Sequence, residues 1–290
     1  MPTLKLFANR TYLFFDAVRF QESIFALPFA YTGMLLAAEG LPSLAQFSWI
    51  TIAMISARTL GMSANRIIDR RIDSQNPRTS GRHLPAGLIT LQDMATLLVA
   101  SMIVFIFAAS QLNSLALSLS PLALAYLVAY PYAKRFTWAS SFFLGCALAI
   151  APSAAWIGVT GNLVWQPVLL SCAVAAWACS FDILYHTQDR DFYLRSGLHS
   201  VAQRFGINAA IRWTITLDAV AVACLVALGI WMEINWTYFI GCAVAAAFLS
   251  FKYRFVTPND LSHLNIAFMR INACVSSTIL AATLTAILLA

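Results

Sequence analysis

The chain has 290 residues, of which 60% are hydrophobic and only 10% charged. A soluble domain carries about 25% charged residues, so this composition excludes a soluble enzyme and predicts an all-α integral membrane protein. The net charge of +6 sits where membrane topology puts basic residues, so no nucleic-acid partner is expected.

The basic start (Lys5, Arg10, Arg19) runs into an apolar segment too long for the core of a secretory signal, with no clear small-residue cleavage site. It is expected to be the first membrane helix. Nine apolar segments occur in order: Glu22–Ala38, Leu44–Met62, Leu91–Ser110, Leu115–Tyr130, Thr137–Val159, Val168–Leu184, Ile211–Trp231, Trp236–Phe251 and Asn265–Leu289. They predict about nine transmembrane helices forming one polytopic domain over residues 1–290. Pro28 and Pro152 are expected kinks. The six cysteines (Cys146, Cys172, Cys179, Cys224, Cys242 and Cys274) all fall in apolar stretches without metal-site spacing and read as small core residues.

Lys and Arg gather at the chain start, at 63–90, 131–136, 185–210 and 252–264, whereas the connections near Gly40, Asn113, Gly161 and Glu233 have none. By the positive-inside rule the first set faces the cytoplasm of an inner-membrane, multi-pass protein.

Two of these inner loops come after acidic helix ends. The first reads ANRIIDRRIDSQNPRTSGRHLPAG, from Ala64 to Gly87. Asn65, Asp69 and Asp73 are spaced by four, so they line one face if the helix of segment two continues. Two carboxylates and an amide so placed suit a hard cation such as Mg²⁺, which fills its remaining positions with water and substrate phosphate. Arg66, Arg78 and Arg82 suit the phosphate itself. The second loop reads FDILYHTQDRDFYLRSGLHSVAQRFG. Asp182, Tyr185 and Asp189, at i, i+3 and i+7, share a helix face, and a carboxylate at the depth of Asp182 is costly without a role. His186 and His199 read as surface loop residues, since neither has a partner at zinc-ligand spacing.

Two acid–arginine clusters on one membrane face can clamp a diphosphate, with a long apolar chain lying among the helices or in the lipid bilayer. The chemistry that needs this is ionisation of a polyprenyl diphosphate, where cations neutralise the leaving group and aromatic faces shield an allylic cation from water. A secondary transporter of a small anionic solute is the alternative. It predicts charges in mid-span, whereas here they cluster at cytoplasmic helix ends, with Arg58 and Arg270 the partial exceptions.

Those two loops, with FQESIFALPFA in the first segment and YPYAKRFTW after the fourth, resemble the UbiA superfamily of intramembrane aromatic prenyltransferases over nearly the whole chain. The NPRTSGR and GLHS versions are most similar to its 4-hydroxybenzoate polyprenyltransferase-like branch, which includes menaquinone-pathway enzymes. The resemblance implies nine helices around a central cavity and Mg²⁺-dependent transfer of a polyprenyl group to an aromatic acid in ubiquinone or menaquinone biosynthesis. It implies that Asn65, Asp69 and Asp73 form one catalytic metal–diphosphate motif, with Asp69 and Asp73 as metal ligands. Asp182 and Asp189 belong to the other, likewise as catalytic metal ligands. Arg66, Arg78, Arg82 and Tyr185 fall among its substrate contacts, and Lys134 and Arg135 occupy its YxxxKR position, against the diphosphate or an acceptor carboxylate. One departure stands out: where the family pattern has an Asp four residues after Asp189, this chain has Tyr193. The expectation is that the helix breaks after Asp189 and Asp191 turns inward as the missing acid. On a continuous helix Tyr193 would hold the inner position instead.

Overall fold

A computed structural model describes residues 12–19, 21, 23–256, 261, 264 and 270–289. Lys5, Arg10, Phe20, Glu22 and residues 265–269 of the predicted stretches lie outside the described residues. The described residues are helical, with no strand among them.

The long helices are α1 (Ser23–Ala38), α2 (Leu44–Gln75), α3 (Leu91–Leu112), α4 (Ser114–Ala129), α5 (Ser140–Thr160) and α6 (Gln166–His186). Two short helices come next, α7 (Arg190–Ser196) and α8 (Val201–Phe205), then α9 (Ile207–Trp231), α10 (Thr237–Phe251) and α11 (Asn272–Leu288). Within the described residues each predicted segment overlaps one of these helices, though α2 runs 13 residues past its predicted end at Met62. Among the described residues five stretches, not nine, are long and apolar enough to cross a membrane by themselves: Leu91–Leu112, Ser114–Arg135, Ser140–Thr160, Gln166–Ser196 and Ile207–Trp231. The residues 26–38 and 272–288 form shorter apolar helices.

α2 sets the frame of the site. Ser43 starts it with a capping box, its hydroxyl accepting from the Gln46 amide while the Gln46 side chain accepts from the Ser43 amide. No proline interrupts it for 32 residues, so the helix is about 48 Å long at 1.5 Å per residue. That exceeds the ~30 Å hydrocarbon core, and the polar last turns extend beyond the apolar part. It stops at Asn76, whose extended backbone (φ −90°, ψ 119°) is the conformation imposed on a residue before proline, here Pro77.

α2 packs on α3, α5 on α6, α6 on α9, and α10 on α11, with α1 lying against α5 and α11. Small residues permit the closest approaches. A Cβ on Gly145 would lie 2.5 Å from the Ala175 carbonyl oxygen, joining α5 to α6, and one on Gly33 would lie 2.5 Å from that of Pro152, joining α1 to α5. The largest core cluster surrounds Trp177, whose ring meets Phe29 at 5.0 Å and Phe181 at 4.9 Å between centroids. Pro28 and Pro152 lie inside α1 and α5 as expected, and Pro121 lies inside α4. Cys179 and Cys242 are buried, but Cys146, Cys172 and Cys274 lie exposed on the outer surface, not in the core expected for them.

Candidate active site

A cavity of about 190 Å³ opens where the polar end of α2 faces the end of α6. The α2 helix continues unbroken through the first motif, so Asn65, Asp69 and Asp73 do share a face. Asp69 and Asp73 are buried, at 1% and 4% exposure.

Each motif carboxylate already faces a basic group. Asp69 receives the Lys134 ammonium, the Arg135 guanidinium at 3.1 Å and the Asn65 amide at 3.2 Å. Arg82 Nη1 donates to both Asp73 oxygens at 2.8 Å. Asp189 takes two donors from one edge of Arg78, Nε to Oδ1 at 2.8 Å and Nη2 to Oδ2, and adds the Asn76 amide at 2.9 Å. Arg78 Nη1 also donates to the Tyr185 hydroxyl at 2.7 Å. Burial works against the Arg78 charge, but the hydrogen bond and negative charge of Asp189 outweigh it, and the guanidinium is held above its ordinary pKa. Asp182 lies 3.2 Å from His186 Nδ1.

Of the residues singled out in the sequence, Asn65, Arg66, Asp73, Arg78, Arg82 and Lys134 line the cavity. So do Asp182, Tyr185 and Asp189, from the opposite side. Asp69 and Arg135 sit behind this wall. Arg135 also donates to the Ile68 carbonyl at 3.0 Å and braces the carboxylate from the rear. Lys134 is itself fixed from the second loop, because its carbonyl accepts from the His199 amide at 2.8 Å.

Asp191 is placed differently from its expectation. The chain does leave the α-helix, but before Asp189 and not after it, through a 3₁₀ turn at Thr187–Asp189. α7 then carries Tyr193 inward, 3% exposed and on the cavity wall. The Asp191 side chain is 82% exposed and, among the described residues, pairs with neighbouring Arg190 at 3.4 Å. Two residues along a helix turn a side chain to the other face, so Asp191 and Tyr193 cannot both point inward.

Sequence reasoning missed several wall residues. His186, read as a surface residue, lines the cavity. Its spacing of four from Asp182 was the available signal. Asn76 ties the first motif to the second, and the Asn-Pro pair at a helix end was the cue to its fixed position. Arg58 and Arg19 also line the cavity. Arg58 Nη2 donates to the Arg19 carbonyl at 3.4 Å and Arg66 Nε to that of Ala17 at 3.0 Å, which holds the segment 12–19 against α2. Met62, Leu144, Leu148 and Phe181 supply an apolar side.

Among the described residues, no group of three or more His, Cys, Asp or Glu could hold a metal ion alone. Mg²⁺ needs less, using one or two carboxylates, waters and substrate phosphates. Asp73, Asp182 and Asp189 supply such oxygens on the cavity wall, and among the described residues the buried Asp182 Oδ2 faces the His186 imidazole, at 3.2 Å, and not an arginine or lysine. The donor set therefore fits a cation that arrives with a diphosphate.

The chain as a whole is similar to known proteins. The UbiA prenyltransferase family matches residues 26–274. A 4-hydroxybenzoate octaprenyltransferase of Vibrio cholerae is 30% identical over 227 residues, covering 77% of this chain and 78% of that protein. One from Francisella tularensis is 27% identical over 222 residues, covering 77% and 78%. Among solved structures, an apo UbiA homolog from Aeropyrum pernix superposes with a TM-score of 0.80 at 28% identity, covering 91% of this chain and 97% of that one. A UbiA homolog from Archaeoglobus fulgidus bound to DMAPP and Mg²⁺ shares the fold at a TM-score of 0.68 and 18% identity, covering 92% and 98%. This chain is a membrane protein that belongs to the UbiA prenyltransferase family.

Proposed function

We propose that this protein transfers a polyprenyl group from a polyprenyl diphosphate to an aromatic acid, 4-hydroxybenzoate or a dihydroxynaphthoate, in quinone biosynthesis. The observation that carries the reading is the cavity itself, where acidic and basic residues of two distant motifs face each other beside a group of apolar residues. Arg78, Arg82 and Lys134 bind the diphosphate, exchanging their carboxylate partners for phosphate oxygens. Asp73, Asp182 and Asp189 hold Mg²⁺, which when bound supplies positive charge against the leaving diphosphate. Met62, Leu144, Leu148 and Phe181 take the first part of the prenyl chain and keep water from the allylic carbon. The carbon–oxygen bond breaks, diphosphate leaves with the electron pair, and a ring carbon of the acceptor forms the new bond and then loses its proton. The nine long helices span the inner membrane, with both motifs at the cytoplasmic side.

The test is a product assay on purified protein with 4-hydroxybenzoate and 1,4-dihydroxy-6-naphthoate offered side by side against several prenyl diphosphates. One prenylated aromatic acid should accumulate. Release of diphosphate with no prenylated aromatic from either acid would reassign the acceptor class.

A further inference from the structure

A second polar cluster lies outside the cavity wall, on the far side of α6. Lys252, in the 3₁₀ turn that follows α10, is 1% exposed. Its ammonium lies 2.7 Å from Asp218 Oδ2 and donates to the Ser180 hydroxyl at 3.0 Å. The Tyr253 hydroxyl donates to the same Asp218 oxygen at 2.5 Å. Ser180 in turn donates to the Thr214 carbonyl of α9 at 3.2 Å. About one turn back along α6, the Trp177 ring nitrogen donates to Asn272 Oδ1 of α11 at 3.1 Å. Hydrogen bonds thus join one face of α6 to α9, to the end of α10 and to α11.

That face is opposite the one that serves the cavity. Ser180 and Asp182 are two residues apart, about 200° around a helix of 3.6 residues per turn. Asp218 sits near the middle of α9, where a carboxylate is costly without a role. Stability alone is a weak reason to keep it, because apolar residues of similar volume serve as well as a buried ion pair. Apolar contacts between membrane helices hold rotation and depth loosely, since lipid is as apolar as the packed side chains, whereas hydrogen bonds between helices are directional. Resting on the reading of the cavity as a transferase site, we propose that Lys252, Asp218 and Ser180 are positioning residues for the transfer. They fix the rotation and depth of α6, and with them the placement of Asp182 and Asp189 opposite the first motif.

The test compares two variants of the full-length protein in detergent. Ser180→Ala keeps the ion pair and removes its hold on α6. The double variant Asp218→Leu/Lys252→Met replaces the ion pair by apolar residues of similar volume. Both should unfold within a few degrees of the unmodified protein. Turnover should nonetheless fall about tenfold or more, because a misplacement of about 1 Å caused far from the chemistry can cost about 10²-fold. The Mg²⁺ concentration for half-maximal turnover should rise several-fold. Spin labels at Ser74→Cys and Gln188→Cys, both exposed sites, in a background lacking the native cysteines, read the separation of the two motifs without substrate. That distance should shift or broaden in both variants. Should the double variant not fold, Ser180→Ala decides on the same readings. Unchanged turnover, Mg²⁺ requirement and spin-label distance, or turnover that falls only as far as the folded fraction, overturns the positioning role and leaves the transferase reading intact. A shifted distance in a protein that transfers no prenyl group upholds the positioning of α6 and overturns the transferase reading instead.

Discussion

Arg78 grips Asp189 with two donors on one edge of its guanidinium, Nε to Oδ1 at 2.8 Å and Nη2 to Oδ2. The residues are 111 positions apart in the chain, one from the loop after α2 and the other from the turn after α6. The pair ties the two motifs across the cavity. Lysine cannot reproduce a planar bidentate contact, so Arg78→Lys should keep the charge and lose the tie. We expect the thermal unfolding midpoint to fall by a few degrees, as loss of about 1–2 kcal/mol implies, and transfer to fall more than tenfold. Unchanged melting and turnover would mean that the pair does not hold the motifs together.

Tyr193 and Asp191 separate cleanly by burial. Asp191→Asn should leave turnover and the Mg²⁺ requirement within about twofold, since removing an exposed charge of this kind costs little. Tyr193→Phe removes a hydroxyl from the cavity wall and should raise the donor KM several-fold, the scale of one hydrogen bond. A Mg²⁺ titration that shifts steeply in Asp191→Asn would bring that carboxylate back into the site.

Arg135 stands behind Asp69 and holds the Ile68 carbonyl. Arg135→Ala should therefore lower kcat while the KM for the aromatic acid stays near its original value. An acceptor KM that rises more than kcat falls would place the guanidinium on the acceptor carboxylate instead.

Orientation can be read by thiol labelling. Ser74 and Ser196 are both exposed, one near the end of α2 and one at the end of α7. Cysteines placed there, in a background lacking the six native ones, should resist an impermeant thiol reagent in intact cells. They should react in inverted vesicles. Labelling from outside would reverse the topology.

The helices were legible because their signal is local: long apolar runs, charge at one set of loops, and a motif spaced by four. The continuity of α2 through Asp73 was legible in the lack of proline before Pro77. Pairing was harder to read. That Lys134 answers Asp69 and Arg78 answers Asp189 depends on how helices far apart in sequence meet, which spacing does not encode. The misplacement of Asp191 has a local cause. A 3₁₀ turn at Thr187–Asp189 shifts the helical phase of α7, and no glycine or proline marks that turn in TQDRD. His186 was passed over because a single histidine beside a loop looks solvent-exposed until the opposite wall is in place.

The central claim is that both acidic motifs act on one diphosphate in one cavity. The most direct measurement is Mg²⁺-dependent diphosphate release from a polyprenyl diphosphate in the presence of an aromatic acid, comparing the unmodified protein with Asp73→Asn and Asp182→Asn. Each substitution keeps the side-chain size and removes one charge from one motif, and retained folding is checked by thermal unfolding. Release should require Mg²⁺, stop with EDTA, and fall on the order of 10²-fold or more in both variants, the scale of losing a group that stabilises transition-state charge. Release that is insensitive to EDTA, or near-normal turnover at saturating Mg²⁺ in either folded variant, would contradict the account.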